Sequence, residues 1–226
     1  VPIKIENKYG NIYTSDHDGP AEIILSNGDL KSHNFNSKTK INLQFANANI
    51  KYIQEGDLDI SYYSEIQLNE AGKLKIYSRS SRVNIETVDE IETNSNRDKY
   101  YITNVNTVKA INAFTYLDIS SLSKSIDFKG NYGDLIIKSF DNELRTIIID
   151  IESTDVSINV TEGQSLKMET IYNERAGLYY YEELKQKETN LYDENKKLAK
   201  TTGILGKSSD NTILIQCTNL SGKLRI

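Results

Sequence analysis

The stretch "NVNTVKAINAFTYLDISSLSKSIDFKGNYGDLIIKSF", residues 104–140, states one hydrophobic rhythm twice. Val108, Ala110, Leu117, Ile119 and Leu122 are answered by Ile126, Phe128, Leu135, Ile137 and Phe140, while most of the letters between them change. Counted from the first apolar residue of a unit, aliphatic side chains favour offsets 0, 2, 9, 11 and 14. Leu74, Ile76, Val83, Ile85 and Val88 form the same set, as do Ile91, Thr93, Tyr100, Ile102 and Val105. Ile147, Ile149, Val156 and Ile158 continue it, so units begin at 74, 91, 108, 126 and 147, spaced by 17, 17, 18 and 21 residues.

Upstream, units open at Ile3, Ala21 and Thr39. A unit opened at Leu58 and Ile60 fits less well, because Ile66 and Leu68 then fall one residue early, as expected of a deletion or bulge. Downstream, units open at Leu166 and, after an interruption, at Ile215. The count is about ten or eleven, and no helical 3.6-residue period generates such a pattern.

Strand side chains alternate with period two, so offsets 0 and 2 share one face. Offsets 9 and 11 share another with shifted parity, so the chain turns a corner between them. Offset 7, held by Gly10, Gly28, Ala46, Ser81, Gly133 and Gly222, is the expected bend. Offset 14 supplies a third inward side. No single turn of this kind buries its own apolar stripe, whereas stacked turns bury it jointly. The expected fold is all-β: a single-stranded, right-handed parallel β-helix (β-solenoid) of about ten turns, one domain over residues 1–226. At about 4.8 Å per turn, ten turns make a rod roughly 48 Å long. Because each buried aliphatic contributes about 1.5–3 kcal/mol, the inward slots are constrained and the outward letters drift.

Composition supports strands and narrows the function. Tyr outnumbers Phe 15 to 5 and Trp is absent, which suits half-buried strand surfaces. The net charge of −5, with no basic run, lacks the electrostatic footprint of a nucleic-acid binder. A lone Cys217 permits neither an intrachain disulfide nor a thiolate cluster, and 2 His leave little material for a His-based metal site or hydrolase triad. No apolar stretch approaches a membrane span and no signal peptide is visible. "VPIKI" begins in mid-strand, as in a chain whose leader has been removed.

The rhythm stops between Tyr172 and Asn211, and residues 173–211 are expected to form a charged insertion within the last turns. Leu184, Leu191 and Leu198 keep heptad spacing, which suits a short amphipathic helix. The strand-like run Leu178–Tyr181 and the poor helix formers Thr189, Asn190 and Asp193 suit a hairpin. Either form would cover an open sheet edge.

Several groups invite a chemical reading. Asp16, His17 and Asp18 offer metal-ligating atoms, but His17 falls at inward offset 14 and Asp18-Gly19 is a turn signal. His33 sits among Asn and Ser with no evident partner. Asn11, Asp29, Asn47, Asp134 and Asp155 share offset 8, as in a carboxylate ladder, until Arg82, Lys99 and Tyr116 interrupt it. No acid–base pair at glycosidase separations is identifiable. Tyr9, Phe45, Phe114, Tyr132 and Tyr172 fall at offset 6, where an aromatic row either covers a corner of the core or stacks on sugar rings; Arg97 in the same slot indicates partial exposure. Gly203–Gly206 lacks the strand–loop–helix context and Lys of a phosphate loop.

"IENKYGNIY", "LSNGDL", "GNYGDLIIKSF" and "CTNLSGKLRI" resemble the recurring Asn-x-Tyr-Gly-Asp-Ile units of bacterial adhesin-type β-strand-repeat proteins, with domains like autotransporter-adhesin heads. The resemblance covers the chain outside residues 178–205, although "RSSRV", "NRDKYY" and "ESTDV" have lost the Tyr-Gly pair. It implies a β-helix exported to the cell envelope or beyond, binding a protein or glycan ligand or acting as a scaffold, without nucleic acid, cofactor, metal or catalytic residues. Two other expectations stand beside it: a carbohydrate-binding or polysaccharide-degrading β-helix protein, and a cytoskeletal solenoid that polymerises end to end.

Overall fold

A computed structural model of the chain describes residues 1–160, 164–206, 213–219 and 221–226. Fifteen strands, with no helix among the described residues, join in one sheet that coils as a parallel β-solenoid. The first nine turns rise in chain order through β1 (Ile3–Asn7), β2 (Ile12–Thr14), β3 (Ala21–Ser26), β4 (Asp29–Gln44), β5 (Asn47–Ser61), β6 (Glu65–Arg79), β7 (Arg82–Asn96), β8 (Lys99–Ile137) and β9 (Thr146–Ile158). Every named pairing along this stretch is parallel. Ala21, Thr39, Gly56, Leu74, Ile91 and Val108 lie in one register line, as the repeat requires.

The inward slots at offsets 2, 9, 11 and 14 fill the core, with Ile23, Ile50, Phe35 and Leu135 among its fully buried side chains. One inward slot is additional. Offset 4 is buried from the second turn to the ninth: Leu25, Leu43 and Ile60 in the lower turns, Ser78, Ser95 and Asn112 in the middle, Ile151 above. The middle of the rod therefore carries a polar seam inside an otherwise aliphatic column.

The corner lies one residue earlier than the glycines indicate. Asn27, Phe45, Tyr62, Ser80, Arg97, Phe114, Tyr132 and Ser153, at offset 6, all have φ between 51° and 62°. The small residues at offset 7 answer a different need. A Cβ on Gly28 would strike the Gly10 carbonyl, and one on Gly133 the Thr115 carbonyl, so these glycines permit close approach of turn to turn. The irregular unit begins at Gly56, which pairs with Thr39 and Leu74, rather than at Leu58. Its extra residue sits at the corner, where Tyr62 and Tyr63 both have positive φ.

Outside, opposite charges alternate at offset 1. Lys4 faces Glu22, then Lys40, Asp57, Lys75, Glu92 and Lys109 follow in register. Four close pairs lie on this face, Lys4–Glu22 at 2.9 Å, Lys38–Glu55 at 3.1 Å, Lys73–Glu90 at 3.1 Å and Lys75–Glu92 at 4.0 Å. A slip of one turn would set like charges side by side, so the ladder favours one stacking register.

Above β9 the spatial order departs from the chain order. The next layer is the C-terminal segment, β14 (Ile213–Asn219) and β15 (Gly222–Arg225), parallel to β9. Next come β10 (Leu166–Asn173), parallel to β14, and β11 (Ala176–Tyr179), parallel to β15. Met168, not Leu166, aligns with Ile215 and Ile147. The charged segment is a hairpin: β12 (Lys185–Asp193) runs antiparallel to β13 (Leu198–Leu205), which runs antiparallel to β10. The solenoid pairing persists to Tyr179, beyond the expected departure at 173, and residues 207–211 of the expected insertion lie outside the described residues.

Candidate binding surface

One corner of the rod carries aromatic and cationic side chains on backbone that resists bulky residues. The offset-6 positions are locked turn to turn by main-chain hydrogen bonds: Tyr62 N–H donates to Arg79 O (3.2 Å), Ser80 N–H to Asn96 O (3.0 Å) and Arg97 N–H to Ala113 O (3.0 Å). Phe45 and Tyr62 stack at 5.3 Å with ring planes 14° apart, and Phe114 and Tyr132 at 5.0 Å and 9°. The Arg97 guanidinium lies 5.6 Å from the Phe114 ring centre. Phe45, Tyr62, Phe114 and Tyr132 are 47–55% exposed and Tyr63 84%. The row is therefore a ridge on the surface, not a cover over the core. Tyr9 is exposed at the same corner, whereas Tyr172 is not a member. It aligns with Asn219 and Ile151 at offset 4, and its hydroxyl lies 3.2 Å from Thr201 Oγ1.

Cations gather where the aromatic row is interrupted. Arg79 and Arg82 flank Ser80 in one turn, and Arg97 and Lys99 follow in the next. All four are exposed, and Arg82 and Lys99 are direct partners across the ladder. Like charges directly opposite are unfavourable, and among the described residues none of the four forms an ion pair. Glu65, the rung below Arg82, accepts instead from Asn84 Nδ2 at 3.0 Å. Arg82 lies 5.8 Å from the Tyr101 ring centre, and Tyr101 packs at 5.7 Å on Tyr116.

The offset-8 column is a hydrogen-bonded polar ladder. Asp29 N–H donates to Asn11 Oδ1 (3.1 Å), and Asn47 Nδ2 donates to Asp29 Oδ1 (3.1 Å). Asp134 and Asp155 are register partners, and the Asp134 carboxyl is raised above its usual range, first by burial and then by the Asp155 charge. Asp155 accepts from Lys223 N–H at 3.0 Å. Strand alternation separates the Asp16–Asp18 cluster. Asp16 and Asp18 accept outward from Asn34 and Asn36 (3.0 and 2.8 Å), while His17 bridges in register to Phe35. His33 does have a neighbour, with Nδ1 3.8 Å from Asp16 Oδ1. Among the described residues no group of three His, Cys, Asp or Glu side chains is placed to hold a metal ion. Gly203 lies in β13, with Gly206 just beyond its end.

The polar seam contains a carboxylate that sequence inspection passes over. Asp98 occupies offset 7, a slot of small residues, and is 2% exposed. Its Oδ1 accepts from Ser81 N–H (2.7 Å), and its Oδ2 accepts from Ser78 Oγ (2.7 Å) and Asn96 N–H (2.9 Å). Ser78 Oγ also lies 2.6 Å from the hydroxyl of Tyr100, which is fully buried. Burial raises the Asp98 carboxyl above its usual range against the pull of these hydrogen bonds, and raises the Tyr100 hydroxyl also. The group resembles an acid–hydroxyl relay, but it is sealed from any substrate and closes the hydrogen bonding of an interior corner. The buried Cys217 thiol is likewise pushed up to about 12 by burial and fills an inward slot of the core.

No helix of the described residues is long and apolar enough to cross a membrane. No family model, curated protein or solved structure matches the chain.

Proposed function

We propose that this solenoid is a binding rod of the cell envelope or outer surface, adhesin-like, which presents its aromatic corner to an extended ligand and performs no turnover. The observation that carries this reading is the cost of the corner. A side chain held in the left-handed region costs roughly 1–2 kcal/mol relative to a relaxed backbone, and glycine would relieve it. An aromatic stack returns about 0.5–1.5 kcal/mol per pair. Two strained residues per stacked pair therefore cost more than the stack supplies, so the rings serve something other than the stability of the free protein. A stiff scaffold with exposed rings in register is suited to sugar faces or to an extended surface partner. The adhesin-type resemblance is consistent with this reading.

The test is binding of the intact protein to immobilised glycans and to cell surfaces. Combined alanine replacement of Phe45, Tyr62, Phe114 and Tyr132 abolishes binding on this reading, with the melting profile largely kept. Alanine at Asp16, Asp29 and Asp134 leaves binding intact. Binding that survives removal of all four rings, or depolymerisation of a polysaccharide by the wild-type protein, would overturn it.

A further inference from the structure

The two stacked pairs leave one opening between them, and its surroundings differ from the rest of the rod. Phe45 covers one face of Tyr62, and Phe114 is covered by Tyr132 on one side and approached by Arg97 on the other. Ser80, a small side chain, stands between Tyr62 and Arg97 in the same column. Two rungs separate these neighbours, about 9.6 Å at about 4.8 Å per rung. A ring placed at the middle rung would lie about 4.8 Å from each, within the usual 4.5–7 Å range of stacked groups.

The charge around this opening is equally specific. Along the offset-1 face from Lys4 to Lys109, cations stand opposite carboxylates. Here Arg82 stands opposite Lys99, with Arg79 and Arg97 beside them, on a protein whose net charge is −5. Asp98 adds its charge from behind, but its oxygens are engaged inward by Ser78, Ser81 and Asn96 and face away from the surface. Glu65 stands on the rung below Arg82, and Asp118, in the turn above Lys99, is paired with Lys138 at 2.7 Å. Four unpaired exposed cations beside a ring-sized slot call for an anion attached to a ring.

We infer that the Ser80 slot between Tyr62 and Arg97, with Arg79, Arg82 and Lys99, binds a carboxylate-bearing sugar unit of an acidic polysaccharide. Its ring is held between Tyr62 and the Arg97 guanidinium, and its carboxylate is paired by the arginines. The inference rests on the binding-rod reading and names its ligand class. A single-stranded nucleic acid also stacks and pairs with cations, but it carries a phosphate on every unit. The cations span only two turns, and the same offset-8 column turns acidic at Asp29 and Asp134. A polymer with a charge on every unit meets repulsion there.

The experiment is calorimetric titration of the intact protein with hyaluronan oligosaccharides, in which only every second sugar carries a carboxylate, with their carboxyl-reduced (neutral) counterpart and with oligo(dT), at low and at physiological salt. Binding of the hyaluronan oligosaccharides is expected, with at least a tenfold loss for the carboxyl-reduced ligand and for R82E/K99E, about the weight of one charged hydrogen bond. Ser80→Phe, which puts a ring where Phe45 and Phe114 already sit, closes the slot and gives the same loss. Arg145→Glu, on the same rod but away from the slot, leaves affinity unchanged, and thermal melts of each variant report folding. Equal affinity for neutral and acidic oligomers, or unchanged affinity in R82E/K99E, overturns the inference while leaving the aromatic ridge as a general glycan binder. Preference for oligo(dT) overturns it in favour of nucleic acid. Absence of binding to any ligand by the wild-type protein, together with absence of surface binding, removes both this inference and the binding-rod reading.

Discussion

The lower nine turns and the upper end of the rod are built from the same slots, yet they are assembled by different rules. From β1 to β9 each layer lies against its predecessor in the chain. Above β9 the order becomes β14, β10, β13, β12, so the last residues of the chain lie between two layers that precede them. The lower turns can form by adding one neighbour at a time, as in any solenoid. The upper end cannot, because β10 waits for a segment more than forty residues further on before its lower edge is paired in this register. The edges differ too. β1 presents half-buried Ile3 and Ile5 beside Pro2, whereas β12 ends the other side with an almost wholly exposed, charged strand. Charge on an outermost strand discourages further pairing.

Deleting residues 213–226 breaks this comparison most sharply. The layer buries Ile213, Ile215, Cys217, Leu224 and Ile226, and at about 1.5–3 kcal/mol for each apolar side chain their loss exceeds what the upper end can absorb. Hydrogen exchange should show residues 166–205 losing protection while residues 21–137 keep theirs. Since Ile147, Ile215 and Met168 share one register line, β10 could instead settle directly on β9. Retained protection across 166–173 would mean that the intercalated layer is dispensable to the end it completes.

Phe128→Ala probes the lower rule. Phe128 is buried against Gly130, where a Cβ would meet its ring, and truncating such a side chain costs about 3–5 kcal/mol. In a stack with nearest-neighbour contacts the faster exchange should stay within the turns next to it. Spread of the effect to 198–205 in β13 would show that the two regions unfold as one unit.

Asp98→Ala has a smaller effect, confined to the polar seam. It leaves the amides of Ser81 and Asn96 and the Ser78 hydroxyl without their acceptor, a cost of about 1–3 kcal/mol. The pH dependence has a definite sign. Burial raises the folded-state carboxyl above its unfolded value, so the folded protein holds that proton more tightly. The contribution to stability is full below the unfolded pKa and is lost as pH rises through the folded one. Asp98→Asn should remove this acid-side gain from the stability profile; an unchanged profile would show that the hydrogen bonds hold the carboxylate ionised.

What was legible beforehand follows from the same contrast. Period-two alternation and a spacing near 18 residues expose the inward slots, because burial on a strand leaves few substitutes for Ile, Leu and Val. The offset-4 slot is hard to read because polar Ser78, Ser95 and Asn112 fill it in the middle turns, joined by hydrogen bonds such as Ser95 Oγ to Asn112 Oδ1 at 2.8 Å. The true corner was obscured because Phe45, Tyr62 and Phe114 occupy positive φ where glycine is the usual signal. Leu166 reads as a unit start because residues two apart on one strand face are interchangeable, and the same two-residue offset puts Tyr172 in the aromatic row. The layer order was beyond reach, since every layer offers the same slots to either neighbour. The cationic corner was half visible: Arg82 and Lys99 broke one column and Arg97 another, and only the register sets them around Ser80.

The smallest effect separates the regions by their surfaces. The alternating ladder runs through the lower turns and ends where Ile148, Gln216 and Glu169 take its slot in successive layers. Asp57 lies between Lys40 and Lys75. Asp57→Lys therefore lines up three cations on adjacent rungs, and like charges directly opposite destabilise a strand pair modestly. These groups are exposed, so solvent screens most of the repulsion, and a Tm lower by about 2–4 °C at low salt is the upper bound for a chain of this size. The same substitution at Gln216 meets Ile148 on one side and Glu169 on the other, and should leave Tm unchanged or slightly higher. At 1 M salt the Debye length falls to about 3 Å, and the difference between the two variants should vanish. If it persists there, the ladder acts through side-chain packing and not through charge, and the lower turns owe their register to the core alone.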